Sequence, residues 1–155
     1  MSSENTVMSY EDYLEKYGTL TYRFRGVSMM PMLHQNTDLI TVCRKTPERC
    51  KKFDVVLYRR KPDQYVLHRV VEVREKDYVI LGDNCLNKEY GITDEDIIGV
   101  LKEYVRDGKK YSLDSPKLRL YSRLRYFSYP LRRQYQLLRS RLSRVKLLRK
   151  LLGKQ

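Results

Sequence analysis

Three short segments hold residue types that do chemistry. In Gly26-Val27-Ser28-Met29-Met30-Pro31-Met32-Leu33, a serine follows a glycine turn. Gly26 permits close backbone approach, and Pro31 keeps the following residues out of regular helix or inner strand. Such a turn presents an exposed hydroxyl and free N–H groups; its plainer reading is a polar connection between strands. In Val66-Leu67-His68-Arg69-Val70, strand alternation puts Val66, His68 and Val70 on one face. Apolar neighbours disfavour a charged imidazole and leave His68 a neutral base near pH 7, as general-base work requires. The plainer reading is a half-buried histidine bonded to backbone. In Leu81-Gly82-Asp83-Asn84, a short carboxylate sits in a turn after a strand. It either caps its own loop or orients an imidazole.

Taken in order, the segments resemble the signal peptidase I family, in the superfamily that includes LexA-type self-cleaving repressors. The serine box corresponds to residues 26–33, with Asp38 beginning the next strand. Phe53-Asp54-Val55-Val56-Leu57-Tyr58 resembles the box that follows, Tyr65–Val71 the general-base box, Gly82-Asp83-Asn84 the Gly-Asp-Asn box, and Asp96-Ile97-Ile98-Gly99-Val100 the closing strand. The likeness covers about residues 20–105. Most bacterial members carry a lysine where this chain has His68; a histidine resembles the archaeal and endoplasmic-reticulum branch.

The resemblance implies a serine endopeptidase acting on a peptide or protein precursor. Ser28 is the expected nucleophile, His68 the general base and Asp83 the orienting carboxylate. Glu89 is the nearest candidate for the second acid that follows in that branch. Met29, Met30 and Met32 are expected to line an apolar cleft for small side chains before the cut, although filling core is the commoner role of methionine. His34, in Leu33-His34-Gln35-Asn36, is a rival base that reads as exposed loop. Two other classes stand beside this reading: a non-catalytic peptide-binding module of the same fold, and a LexA-like self-cleaving regulator. The second is weakened by the histidine base and by an N-terminus with no helix-turn-helix pattern.

The elements that must position these residues are mostly strands. A short helix over residues 8–18 is expected, capped by Ser9 with Asp12 and ended by Gly18. Short runs of period-two or β-branched residues follow: Leu20–Arg25, Asp38–Cys43, Asp54–Tyr58, Tyr65–Val73, Tyr78–Leu81 and Ile97–Val105. Turn signals separate them at Lys61-Pro62-Asp63, Gly82-Asp83-Asn84 and Asp107-Gly108. The expected fold is mainly β, a rolled antiparallel barrel or sheet. It divides into an N-terminal helical segment (1–19), a catalytic β domain (20–114) and a basic helical tail (115–155).

Charge marks off that tail. The chain of 155 residues has a net charge of +13, but residues 1–114 are neutral overall. Residues 115–155 hold thirteen Lys and Arg and no acidic residue, so the excess belongs to the tail. A uniformly basic nucleic-acid-binding domain is thereby excluded. After Pro130, Leu131, Tyr135, Leu138, Leu142, Val145, Leu148 and Leu152 recur at helical spacing, with the cations largely elsewhere on the wheel. A continuous apolar stripe ranks an anionic membrane surface or a partner protein, met through residues 117–155, above nucleic acid. Three cysteines and two histidines show no zinc-ligand spacing, and no metal or cofactor is expected. With no apolar run long enough to span a bilayer, the expected location is cytoplasmic, peripheral on the inner face of the membrane.

Overall fold

A computed structural model of the chain describes residues 8–60 and 64–152, with the side chains of the final helix described through Leu142. The Lys61-Pro62-Asp63 turn and the Val145, Leu148 and Leu152 side chains lie outside the described residues. The chain divides into two compact units, residues 1–120 and 121–155.

The first unit is mainly antiparallel β, a sheet curled into a half-barrel. Helix α1 (Tyr10–Tyr17) opens it, with Ser9 accepting the Asp12 N–H and Gly18 closing it at a left-handed φ of 73°. Eight strands follow among the described residues: β1 (Thr19–Arg23), β2 (Leu39–Arg44), β3 (Val55–Arg60), β4 (Gln64–Val73), β5 (Tyr78–Leu81), β6 (Glu89–Ile92), β7 (Ile97–Arg106) and β8 (Lys109–Ser112). Their order is β1-β2-β7-β3-β4-β5-β6, with β8 beside β7. All neighbouring pairs are antiparallel. Helix α1 packs on β1, β2 and β7, so residues 10–17 belong to the β body.

Six of the eight strands coincide with the period-two runs in the sequence. The other two are short and polar. In β6 a glycine interrupts Glu89-Tyr90-Gly91-Ile92, and β8 is largely exposed. Asp107 and Gly108 both have positive φ, 49° and 72°, so β7 and β8 are joined by a two-residue hairpin turn.

One core cluster joins Cys50, Val56, Tyr58, Val70, Tyr78, Ile80 and Ile97. The register places much of it on one face. Val56 lies opposite His68 and Tyr58 opposite Val66. Val70 lies opposite Ile80, and Ile80 opposite Glu89. Cross-strand partners share a face, and residues two apart on a strand share a face. Tyr58, His68, Ile80 and Glu89 therefore lie on one side of the sheet, whereas Arg69 and its partner Leu81 lie on the other.

In the second unit, helix α2 (Pro116–Phe127) ends and α3 (Tyr129–Leu152) begins on either side of Ser128. Leu124, Phe127, Leu131, Tyr135, Leu138 and Leu142 are exposed. No helix among the described residues is long and apolar enough to cross a membrane.

Candidate active site

The Ser28 turn connects β1 to β2 and is fastened at both ends. The Phe24 N–H donates to the Asp38 carbonyl, and the Asn36 N–H donates to the Phe24 carbonyl. Asp38 is fully buried and takes a two-pronged bond from Arg106, at 2.8 and 2.6 Å, plus the His34 N–H at 2.8 Å. Arg106 also donates to the Met32 carbonyl. Burial works against the Asp38 carboxylate, but the Arg106 fork and the His34 amide outweigh it and hold its pKa below the usual range. Within this frame the Met30 N–H reaches the Val27 carbonyl and the Leu33 N–H reaches that of Met29. Neither the Ser28 hydroxyl nor its N–H has a hydrogen-bond partner among the described residues, and Ser28 lines a cleft of about 1340 Å³.

His68 lines the same cleft from β4. The residue is 4% exposed, and Nδ1 lies 3.0 Å from Glu89 Oε1 and 3.2 Å from the Tyr58 hydroxyl. Proton accounting assigns the tautomer. The single Tyr58 hydroxyl proton goes to Glu89 Oε2 at 2.8 Å, and Arg60 donates to both Glu89 oxygens. Glu89, an acceptor on both oxygens, then receives the proton of Nδ1, which makes Nε2 the basic nitrogen. Burial lowers the His68 pKa below its ordinary value; Glu89 opposes this and the Arg60 charge adds to it. Burial also works against the Glu89 carboxylate, but hydrogen bonds from Arg60 and Tyr58 hold its pKa down.

Gly82 is the point where the two halves meet. A Cβ there would lie 2.9 Å from His68 Nε2, 2.9 Å from the Ser28 carbonyl oxygen and 2.6 Å from Cys85 Sγ. The Asn84 N–H donates to that same Ser28 carbonyl at 2.7 Å, and its side-chain amide reaches the Val27 carbonyl. The Gly-Asp-Asn turn thus pins the backbone of the serine turn beside the imidazole. No hydrogen bond joins Ser28 Oγ to Nε2; such contacts commonly tighten only when substrate is bound. Cys85 Sγ lies 3.9 Å from Nε2 and is a thiol whose pKa burial pushes up.

Asp83 does not take the place expected of it. Its carboxylate forms a buried, two-pronged ion pair with Arg69, both bonds 2.8 Å, on the opposite side of β4 from His68. Arg69 also donates to the Phe53 carbonyl and to Met32 Sδ, so Asp83 anchors a clamp beneath the serine turn. The acid on His68 is Glu89. The methionines are also corrected: Met29 and Met32 are 0% and 3% exposed, packed in the core, and neither they nor Met30 line the cleft. His34 is not among the cleft residues. Tyr58 and Arg60 complete the acid–imidazole chain, and no sequence motif assigns them that role. Their positions two apart on β3, on the same side of the sheet as the histidine of the next strand, are the signal that the sequence carries.

No family model matches the chain, and no curated protein or solved structure matches it significantly.

Proposed function

We propose that this protein is a serine endopeptidase resembling the signal peptidase I family, with Ser28, His68 and Glu89 as its working residues. What supports the reading is one arrangement: a serine hydroxyl with no hydrogen-bond partner among the described residues, and the outer nitrogen of a Glu-held imidazole, in one cleft. His68 Nε2 takes the Ser28 proton as Oγ attacks a peptide carbonyl. The resulting imidazolium returns the proton to the leaving amine, giving an acyl-enzyme. His68 then deprotonates water, which attacks the ester and restores Ser28. Glu89 holds the tautomer and supports the transient imidazolium charge. The Ser28 N–H would donate to the oxyanion, a contact worth about 3 kcal/mol. Cys85 is the rival nucleophile on the same imidazole, but its raised pKa leaves little thiolate.

A fluorophosphonate probe and a peptide-hydrolysis assay test this together. Labelling at Ser28, with both labelling and hydrolysis lost in Ser28→Ala and His68→Ala but persisting in Cys85→Ala, is the expected result. Hydrolysis that survives Ser28→Ala sinks it.

The helical tail is proposed to rest on an anionic lipid surface. Thirteen cations without an acid complement such a surface, and the exposed Leu131, Tyr135, Leu138 and Leu142 would enter its apolar boundary. The intact chain should sediment with vesicles containing anionic lipid and stay free of neutral ones. Equal binding to both, or binding to nucleic acid alone, would overturn the lipid assignment.

A further inference from the structure

Four charged side chains among the described residues line the cleft: Arg23, Arg25, Arg60 and Glu89. Arg60 and Glu89 pair with each other, so their charges cancel. Arg23 and Arg25 remain. Both are exposed, flanking the buried Phe24, which the core holds inward. Arg23 donates to the neutral carbonyl of Asn36, and neither arginine faces a carboxylate among the described residues. The body of the protein is neutral overall, so two uncompensated cations on one cleft wall are a local feature and not its average.

Backbone geometry gives this wall a second property. Among the described residues β1 ends the strand order and pairs only with β2, so no described strand takes its other edge. Phe24 continues the same pairing toward Asp38 and Asn36. A peptide adding to that edge would run past Arg23 and Arg25 toward Ser28. Arg25 precedes Ser28 by three residues, so their backbones lie at most about 10 Å apart, the length of about three residues of an extended substrate.

We infer that the cleft selects peptides carrying an acidic side chain about three residues from the cleaved bond, read by Arg25 with Arg23 beside it. This rests on the peptidase reading of the site for its cleavage arm but not for its binding arm. The guanidinium forks suit a carboxylate, and Tyr10, whose ring tilts against those of Tyr22 and Tyr65 in the same cleft, offers with them apolar walls with polar edges.

The test has two arms. Cleavage of a mixed peptide library by the intact chain, read by mass spectrometry, should enrich Asp and Glu about three residues from the cut, roughly fivefold or more over Lys. High salt should flatten the preference. Binding of fluorescent peptides differing only as Glu or Lys at one position, measured on Ser28→Ala, should show the same order, and Arg23→Glu/Arg25→Glu should reverse it. Acid-selective binding without cleavage by the native chain would support this inference while overturning the peptidase reading. Equal or Lys-preferring binding would overturn the inference, and cleavage that persisted with it would leave the peptidase reading standing.

Discussion

Glu89 Oε1 lies 3.0 Å from His68 Nδ1, although the two residues belong to β6 and β4 with β5 between them. The adjacent carboxylate of the Gly-Asp-Asn turn, Asp83, is spent on Arg69. Two acids close together in sequence therefore have separable jobs: one serves the imidazole and the other holds the loops.

Substitutions should separate those jobs. Glu89→Gln should lower kcat on the order of 10³-fold with little loss of stability, because the imidazole loses its tautomer partner. Asp83→Ala should instead destabilise the fold by about 3–5 kcal/mol, since it strands the buried Arg69 charge. Pairing Asp83→Leu with Arg69→Met should recover much of that stability. Urea unfolding and single-turnover kinetics check both; a kinetic defect in Asp83→Ala as deep as that of Glu89→Gln, in protein that is still folded, would contradict the division.

The pH profile follows from burial of His68. Only the neutral ring accepts the Ser28 proton, so activity should rise with pH through a midpoint below the ordinary histidine value. Stability carries the same sign. Between the lowered folded pKa and the unfolded one, the unfolded chain binds more protons. The contribution of His68 is complete above the unfolded value and is lost as pH falls toward the folded one. Arg60→Gln removes a cation that helps lower that pKa, so the acid limb of kcat/KM should move upward. An acid limb that stays fixed or moves down would show that Arg60 does not set it.

Gly82→Ala should cripple the site. The new methyl would press on His68 Nε2 and the Ser28 carbonyl at 2.9 Å each, and neither is the end of a flexible chain. Overpacking of this kind destabilises by about 1–3 kcal/mol. Combining it with Cys85→Ala relieves only the contact with the sulfur, so activity should stay low in the double variant. Recovery of activity there would mean that the thiol alone sets the limit.

Loss of the Arg106 fork should act at a distance. Arg106→Met leaves the Asp38 carboxylate buried without its main partner and should destabilise the protein by about 3–5 kcal/mol, loosening the Ser28 turn. Because the folded pKa of Asp38 is depressed, the native pair stabilises fully above the ordinary carboxylate range and loses its contribution as pH falls through the folded value. Unfolding measured between pH 7 and pH 3 should therefore show a smaller pH dependence in Arg106→Met.

Much of the fold is legible in the chain itself. Alternation in Tyr65–Val73 and the β-branched runs at Asp54–Tyr58 and Ile97–Val105 mark their strands because burial of a sheet face demands that pattern. Ser9, Asp12 and Gly18 bracket α1 because helix ends need those caps. The serine turn and the histidine strand are both local signals, and the contrast between a neutral body and a cationic tail is plain composition. The two missed strands show the limit. Glu89-Tyr90-Gly91-Ile92 has neither alternation nor a run of β-formers, and it becomes a strand because β5 offers it an edge to pair with.

That pairing is what tertiary structure alone decided. From sequence, Asp83 stands next to the Gly82 that meets the imidazole, and it is the nearer acid. In the folded chain Gly82, at the start of the turn after β5, adjoins His68, while Asp83 turns to Arg69 on the other side of β4. Glu89 reaches His68 because it is registered opposite Ile80, which is opposite Val70, two residues along β4 from the histidine. A strand's own sequence specifies the alternation of its side chains. Which acid faces which base depends on the register between strands, and that register exists only once the sheet has formed.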